Sequence, residues 1–368
     1  MTPVESHYFA LMRAALWQQP VALEGKPDWE GIMRVARHHA TEVLVADVAS
    51  RLTGDLRPSE EMLRQMKKAM YGNLINQQEL KRILLQAMKA LETQDIEFVL
   101  LKGFGLARLY PNPSLRQFGD IDLFVGLQQY HQACMVLRGL SGGYNWGDEI
   151  EVGRHYNIEF GRFPMEVHRM SAEVNDAKEQ ALYAAIEQDG LVEHRQNVDF
   201  GDCSLPLPSN EFIVFFTFFH FWDHFMTSGV GWRQLSDVAM TLHSYHGQLD
   251  LDKLHDWLVS MRLIGPWQTF GGLMETCLGL PAVEIPFYKS ISRHRTKQIY
   301  DRIMVDGNFR RFKRYRQHQP KGILMRKIYA IIGVFLDFLG LVGLFPKHAF
   351  RMMFTTLTES ISKNFQKK

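Results

Sequence analysis

The hydrophobic pattern of the first ninety residues is helical. Apolar residues recur at three- and four-residue spacing in four segments, 5–17, 29–38, 41–51 and 59–93, which is the period of helices with one buried face. Asp28 and Ser59 stand where two of these segments begin, and their side-chain oxygens can cap the free N–H groups of a first helical turn. The pattern predicts an N-terminal helical region over residues 1–93.

The pattern changes between residues 94 and 208. Short apolar or alternating runs at 96–101, 120–125 and 165–168 predict strands, and a helical stretch at 127–140 separates the last two. A helix follows at about 182–190, and residues 191–207 predict a short β excursion that ends at Pro206 and Pro208. We therefore expect a small mixed sheet in this part of the chain.

Helical periodicity returns at Ser209 and continues to the C-terminus. Ser209 is a good N-cap for an aromatic helix over 210–225, and Trp222 and Trp232 are interpreted as core residues. The predicted fold class is α+β and predominantly helical, with a core at 94–208 flanked by helical regions at 1–93 and 209–368.

Composition places the chain among ordinary globular proteins and excludes several classes. Of its 368 residues, 46% are hydrophobic and 22% charged, which is typical of a chain able to form a sizeable core. A net charge of +2 gives no strong nucleic-acid signature. Three widely spaced cysteines predict neither disulfides nor a zinc site and fit the reducing cytoplasm. Since the N-terminus also lacks a secretory pattern, we expect a cytoplasmic location.

The strand at 120–125 begins with two carboxylates, Asp120 and Asp122. Side chains alternate along a strand, so residues i and i+2 share one face. Two like charges on one face are unfavourable unless a cation binds between them, and Mg²⁺ prefers carboxylate oxygens. The alternative is that Asp120 caps a turn and Asp122 lies exposed at a strand edge.

A third carboxylate and a histidine share one face of the strand at 165–168. Glu166 and His168 are two residues apart there, after a turn at 161–164. Glu166 could therefore converge with the aspartates, although it could also be a simple cross-strand charge partner. Glu159 is the competing third acid.

A candidate phosphate-binding turn follows the strand at 96–101. Gly103 lacks a Cβ, which would let the backbone approach a phosphate, and residues 104–110 predict a short helix with free N–H groups at its start. Lys102 and Arg116 could add positive charge. Alternatively, Lys102 is a solvated residue at a strand end, and Arg116 pairs with a carboxylate to fix the loop.

The order of these features resembles a known family. A Lys-Gly turn, an arginine, a Gly-Asp-x-Asp strand and an acid-x-His strand, within about residues 77–170, resemble the uncharacterised nucleotidyltransferase family of the DNA polymerase β superfamily. In the helical region the resemblance extends to His220, His224, Arg233 and Asp237.

The resemblance implies an activity and its cofactors. Asp120, Asp122 and Glu166 would hold two divalent cations, Mg²⁺ or Mn²⁺, which bind an NTP donor and activate an acceptor hydroxyl for in-line attack on the α-phosphorus. The acceptor could be a sugar, a lipid-linked glycan, a tRNA or a protein. The superfamily usually has Gly or Ser after the turn glycine, whereas this chain has Phe104. That departure keeps a non-catalytic nucleotide-binding module as an alternative.

His220 and His224 have the i, i+4 spacing of metal ligands. The zincin pattern requires Glu directly after the first histidine, and Phe221 stands there, so zinc ligation is disfavoured. By resemblance these histidines, with His168, Arg233 and Asp237, are candidates for the pocket wall. An Arg233–Asp237 ion pair at i, i+4 is the alternative for the last two.

The C-terminal region combines an apolar stretch with a basic run. Residues 328–345 are strongly apolar with Asp337 in their middle, and 310–316 carry arginines and a lysine interleaved with aromatic residues. The basic run could rest on an anionic membrane surface, which would make the protein membrane-peripheral or an assembly protein, or it could contact an RNA or a polysaccharide-linked acceptor. A buried pair of helices with a solvated basic face is the favoured alternative.

Overall fold

The computed structural model describes residues 1–142, 153–174, 176–201, 203–290, 292–308 and 338–351, together with positions 325, 332, 335, 336 and 353. The first part forms four helices: α1 (Pro3–Trp17), α2 (Trp29–His38), α3 (Glu42–Ser50) and α4 (Glu60–Glu92). Both predicted caps are confirmed, because the side chains of Asp28 and Ser59 accept the backbone N–H groups of Gly31 and Met62. Helix α1 begins earlier than predicted, at a capping box formed by Thr2 and Glu5.

A four-stranded mixed sheet follows. Its strands are β1 (Val99–Leu100), β2 (Ile121–Phe124), β3 (His155–Phe160) and β4 (Phe163–His168), in the order β1-β2-β4-β3. Strands β2 and β4 are parallel, and both outer pairs are antiparallel. Strand β1 is shorter than the predicted 96–101, because its partner β2 has only four residues and the pairing of Val99 with Phe124 already reaches the end of β2.

Among the described residues, two α-helices lie between these strands in the sequence. Helix α5 (Phe104–Ala107) is shorter than the predicted 104–110, and α6 (Gly126–Leu140) matches its prediction closely. One face of the sheet packs against α6 and the C-terminal half of α4 in a hydrophobic cluster that includes Leu84, Leu123, Leu137 and Val167. The opposite face, which carries Asp122, Glu166 and His168, is therefore left for polar chemistry.

The chain then returns to helices through a small hairpin. Helix α7 (Ala177–Glu187) starts at an Asp176 cap and continues as a π-helical segment over 188–193. The predicted β excursion is confirmed as two antiparallel strands, β5 (Gln196–Asp199) and β6 (Ser204–Leu207). Ser209 caps the next helix as predicted, since its hydroxyl accepts the N–H of Phe212.

The C-terminal helices share one core with the N-terminal helices. In the described part of this region they include α8 (Asn210–Thr227), α9 (Trp232–Ser244), α10 (Leu251–Ser260), α11 (Ile264–Leu273) and α12 (Arg293–Asp306). The ring of Phe9 in α1 meets that of Trp232 edge-on, with centroids 4.7 Å apart, and the Trp17 indole donates to the carbonyl of Leu278. The predominantly helical α+β fold is thus confirmed, while the predicted boundaries at 93 and 208 stay predictions.

The predicted C-terminal features fall largely outside the described residues. These include the whole basic run at 310–316 and much of the apolar stretch, with Asp337. Within the ranges given above, no helix combines the length and apolar character needed to cross a bilayer.

Candidate active site

The register of the sheet brings two of the predicted carboxylates side by side. Asp122 on β2 is the direct partner of Glu166 on β4, and Phe124 is the partner of His168. Partners on neighbouring strands point to the same face, so both carboxylates project together. Asp120 lies one residue before β2. Burial and the negative charge of Asp122 raise the pKa of Asp120, which indicates that the two aspartates are close.

Asp122 is completely buried, and only one of its two carboxylate oxygens has a partner among the described residues. Its Oδ1 accepts from Lys102 Nζ at 2.8 Å and lies 3.2 Å from His168 Nε2. Burial alone would raise the pKa of Asp122, but the adjacent Lys102 and His168 outweigh burial and hold that pKa well below its ordinary value. Its Oδ2 is buried too, and none of the described residues forms a hydrogen bond with it. A buried charged oxygen without a partner is costly unless a ligand completes it.

His168 acts as an internal counter-charge for the carboxylates. Its Nε2 lies between Asp122 Oδ1 and Glu166 Oε2, at 3.2 and 3.3 Å. Burial opposes a charged ring, but the hydrogen bonds to the two carboxylates outweigh it and raise the pKa of His168. The same contacts lower the pKa of Glu166 against the effect of its burial. Lys102 and His168 together therefore offset the negative charge of this face.

A second arrangement of possible metal ligands shares Glu166. Ligand atoms of His155, Glu166 and His168 lie within 4.8 Å of one another. However, the Nε–H of Arg154 donates to Nδ1 of His155 at 3.3 Å, so a neutral His155 ring carries its proton on Nε2. That nitrogen faces Glu166 at 3.9 Å. A neutral His155 therefore turns an N–H group toward the carboxylate, and this nitrogen has no lone pair for a metal ion.

The register also separates the two candidates for the third carboxylate. Glu159 is exposed on β3 opposite Pro164, and β3 is not a neighbour of β2. Glu166 is directly adjacent to Asp122. The geometry favours Glu166.

The turn after β1 has the backbone that only glycine adopts easily. Gly103 has φ +58° and ψ −115°, and L-residues rarely occupy this region. Lys102 precedes it and reaches back to Asp122. Phe104, which replaces the small residue usual in the superfamily, is buried, with its ring edge-on to Phe118 and Phe200. The apolar residue thus contributes to the packing beneath the turn.

A buried ion cluster, which we call the Asp237 clamp, supports this turn from α9. Arg116 donates to both oxygens of Asp237 at 2.7 and 2.9 Å, and its third donor bonds the carbonyl of Gly103 at 3.2 Å. Tyr110 and Arg233 also donate to Asp237, at 2.7 and 3.3 Å. The expected Arg233–Asp237 pair is confirmed, as is the pairing of Arg116 with a carboxylate.

The two predicted histidines of α8 join the site through Lys102. Lys102 Nζ donates to His220 Nε2 at 3.4 Å, and His220 Nε2 lies 3.0 Å from His224 Nε2. His224 Nδ1 lies 2.7 Å from the Ser228 hydroxyl. Burial and the nearby Lys102 lower both pKa values, that of His224 to about 4. Both rings are therefore neutral at pH 7.

A polar cleft of 360 Å³ opens beside the carboxylates. Its walls come from α4, the Gly103 turn, the loop before β2, the start of β4, α8 and α9; the lining includes Asn73, Asn76, Lys102, Gly103, Arg116, Gln117, Phe118, Asp120, Pro164, Thr217, His220, Arg233, Gln234, Asp237 and Asn308. The side-chain amides in this lining were not predicted from the sequence. A signal was present in α4, where Asn73 and Gln77 interrupt the buried apolar stripe and bond the carbonyls of Ser114 and Arg116.

Paired carboxylates beside a glycine turn are typical of enzymes that bind nucleotide phosphates through metal ions. The family model described as uncharacterised nucleotidyltransferase matches residues 25–269, more than half of the chain. The chain belongs to this nucleotidyltransferase family, which supports nucleotidyl transfer from an NTP as its general activity. Searches of curated proteins and of solved structures found no match.

Proposed function

We propose that this protein transfers a nucleoside monophosphate from an NTP to a hydroxyl group, using two divalent cations, Mg²⁺ or Mn²⁺. The observation that carries the proposal is the side-by-side placement of Asp122 and Glu166, with Asp122 Oδ2 buried and unpartnered among the described residues. The acceptor is a hydroxyl-bearing sugar, lipid-linked glycan, tRNA or protein.

The residues of the site fit such cations. Asp120, Asp122 and Glu166 supply carboxylate oxygens, the ligand type that Mg²⁺ and Mn²⁺ favour. Asp120 is largely buried and lies near the negative charge of Asp122, and both effects raise its pKa, as expected for two adjacent carboxylates. These three residues would hold the metal, which when bound neutralises phosphate charge and makes the acceptor hydroxyl more acidic.

The chain's own residues would position and neutralise the donor. Lys102 lines the cleft and contacts Asp122, so its ammonium lies where it can also meet a phosphate oxygen. The Gly103 turn leaves room for a close backbone approach. Arg116 holds this turn through the Gly103 carbonyl, and Arg233, which also lines the cleft, supplies further positive charge.

The transfer step balances without another reactant. The acceptor oxygen forms a bond to the α-phosphorus while the bond from that phosphorus to the bridging oxygen breaks, and pyrophosphate leaves. The acceptor proton passes to Glu166 and then to solvent. Catalysis of this kind is mostly positioning and electrostatic stabilisation.

The test is a titration of the four NTPs with Mg²⁺, read as thermal stabilisation. We expect Mg²⁺-dependent stabilisation of the wild type by at least one NTP, by about 2.7 kcal/mol at a hundred times Kd, and none in the Asp120→Asn/Asp122→Asn double variant. Glu159→Gln is the matched control, because it removes an exposed carboxylate from the same sheet.

Two results would count against the proposal. If no NTP stabilises the wild type, or if the double variant binds and turns over NTP as well as the wild type, the carboxylates are not the site. NTP binding without pyrophosphate release in a screen of the four acceptor types would favour the non-catalytic module.

A further inference from the structure

We infer that the polar cleft binds the nucleobase of the donor, between the ring of Phe118 and the side-chain amides of Asn73 and Asn76. The inference rests on the proposed function and adds how the nucleotide is recognised. It begins with the charges in the cleft.

The cationic side chains of the cleft wall already have anionic partners. Arg116 and Arg233 both bond Asp237, and Lys102 bonds Asp122. On the α4 side of the cleft, by contrast, the lining groups are the uncharged amides of Asn73 and Asn76. Such a surface suits the uncharged part of a nucleotide better than a further polyanionic group.

The two amides of α4 have fixed orientations. The Nδ2 of Asn73 donates to the carbonyl of Ser114 at 2.6 Å, and the Oδ1 of Asn76 accepts from the guanidinium of Arg162. Each contact settles which end of the amide is oxygen and which is nitrogen. The remaining groups are an acceptor, Asn73 Oδ1, and a donor, Asn76 Nδ2, and neither has a hydrogen bond to the described part of the chain.

The acceptor of Asn73 and the donor of Asn76 are complementary to the hydrogen-bonding edge of a nucleobase. Asn73 and Asn76 are one helical turn apart and both line the cleft, so an acceptor and a donor lie next to each other. The pairing edge of every nucleobase likewise carries neighbouring donors and acceptors, which proteins read with amide side chains.

Phe118 provides an apolar surface in the same cleft. It is half-buried, lines the cleft, and is held by an edge-on contact with Phe104 at 4.9 Å between centroids. It is also the nearest side chain to the missing Cβ of Gly103, at 3.5 Å. A base stacked on Phe118 would leave the phosphates at the Gly103 turn. Stacking on an aromatic ring tolerates any base, so the amides supply the selectivity.

The test compares NTP with inorganic tripolyphosphate, each with Mg²⁺, in binding titrations. Asn76→Asp keeps the oxygen that accepts from Arg162 but replaces the outgoing donor by an acceptor. Phe118→Leu removes the stacking surface. We expect each variant to bind the preferred NTP at least about tenfold more weakly and to bind tripolyphosphate as the wild type does.

Gln78→Glu controls for the added negative charge. Gln78 is exposed on the same helix and does not line the cleft, so this variant should bind NTP normally. Thermal unfolding of the ligand-free variants checks that they are folded.

The outcomes separate this inference from the proposed function. If the wild type binds NTP far better than tripolyphosphate and both variants keep that preference, the base lies elsewhere and only this inference fails. If the wild type binds neither ligand, the proposed function fails and this inference fails with it. Equal weakening of NTP and tripolyphosphate in both variants would show a general disturbance of the cleft and would also overturn the inference.

Discussion

Two buried charged clusters lie close together in this protein, and they differ in how completely their acceptors are used. In the Asp237 clamp, both carboxylate oxygens are engaged by Arg116 and are further bonded by Tyr110 and Arg233. On the sheet, Asp122 places its two cationic partners on one oxygen and leaves the other bare among the described residues. A cluster in which every acceptor oxygen receives a hydrogen bond stabilises the fold, whereas a cluster with an unused acceptor oxygen can bind a ligand.

The strongest test of this difference is the activity of Asp122→Asn. If the bare oxygen binds a catalytic metal, the variant should lose NTP turnover by about ten-thousandfold or more, equivalent to ~5 kcal/mol of transition-state stabilisation. Its free energy of unfolding should fall by only about 1 to 3 kcal/mol, because Asn keeps Oδ1 for Lys102 and His168. Turnover by pyrophosphate release and denaturant unfolding measure the two effects, and retained turnover would contradict the assignment.

The opposite pattern is expected for Asp237→Asn. Both oxygens of Asp237 accept hydrogen bonds from Arg116, unlike those of Asp122, so either orientation of the asparagine amide sets an NH2 group against a guanidinium. This loss should lower the free energy of unfolding by about 3 to 5 kcal/mol. Denaturant unfolding measures the loss. A stability change no larger than that of Asp122→Asn would show that the two clusters do not divide the roles in this way.

Gly103 lies between the clusters, and its substitution should give an intermediate effect. Gly103→Ala forces an alanine into φ +58° and should lower the free energy of unfolding by about 1 to 3 kcal/mol, with a parallel loss of NTP affinity. Gly72→Ala is the control: an added Cβ there meets nothing within 4 Å, and the helical position predicts a gain of about 0.5 to 1 kcal/mol. If both variants behave alike, the turn does not require glycine.

The smallest expected effect is a pH dependence of the free energy of unfolding near neutral pH. The cluster of Asp122, Glu166 and His168 on the sheet should show it, and the Asp237 clamp should not. The folded pKa of His168 is raised, so its contribution is complete below its unfolded pKa of about 6.5 and is lost as the pH rises through the folded pKa. The folded pKa of Asp237 is lowered by its arginines against burial, so its contribution is lost only as the pH falls below about 3.9. Above the unfolded pKa of the histidines, unfolding without metal from about pH 7 to 9 should therefore show a downward slope that His168→Gln abolishes. An unchanged slope in that variant would place its origin elsewhere.

Local patterns predicted much of this fold because the relevant forces act between near neighbours. Helical periodicity and the caps at Asp28, Ser59 and Ser209 needed no knowledge of the rest of the chain. Strand alternation predicted one face for Asp120 with Asp122 and one for Glu166 with His168, and the register of the sheet pairs Asp122 with Glu166. The length of β1 was overestimated, because the apolar run at 96–101 contains no information about the length of its partner strand.

The remaining features depend on contacts between distant residues. Arg116 was expected near a phosphate or a carboxylate, but the identity of Asp237, 121 positions away, could not be read from spacing. His168 was expected in the pocket wall, and its place between two carboxylates follows from the sheet. The amides of the cleft come from α4, for which the sequence predicted only a helix within the N-terminal helical region.

The distance between Arg116 and Asp237 along the chain has a consequence during synthesis. At ribosomal rates of about 5 to 20 residues per second, Arg116 emerges roughly ten seconds before α9 is made. Until then its guanidinium has no carboxylate from α9, and the carbonyl of Gly103 is not fixed. A nascent chain that ends before α9 should therefore carry Asp122 and Glu166 without a fixed Gly103 turn, so under the proposed function it would not consume NTP while still on the ribosome.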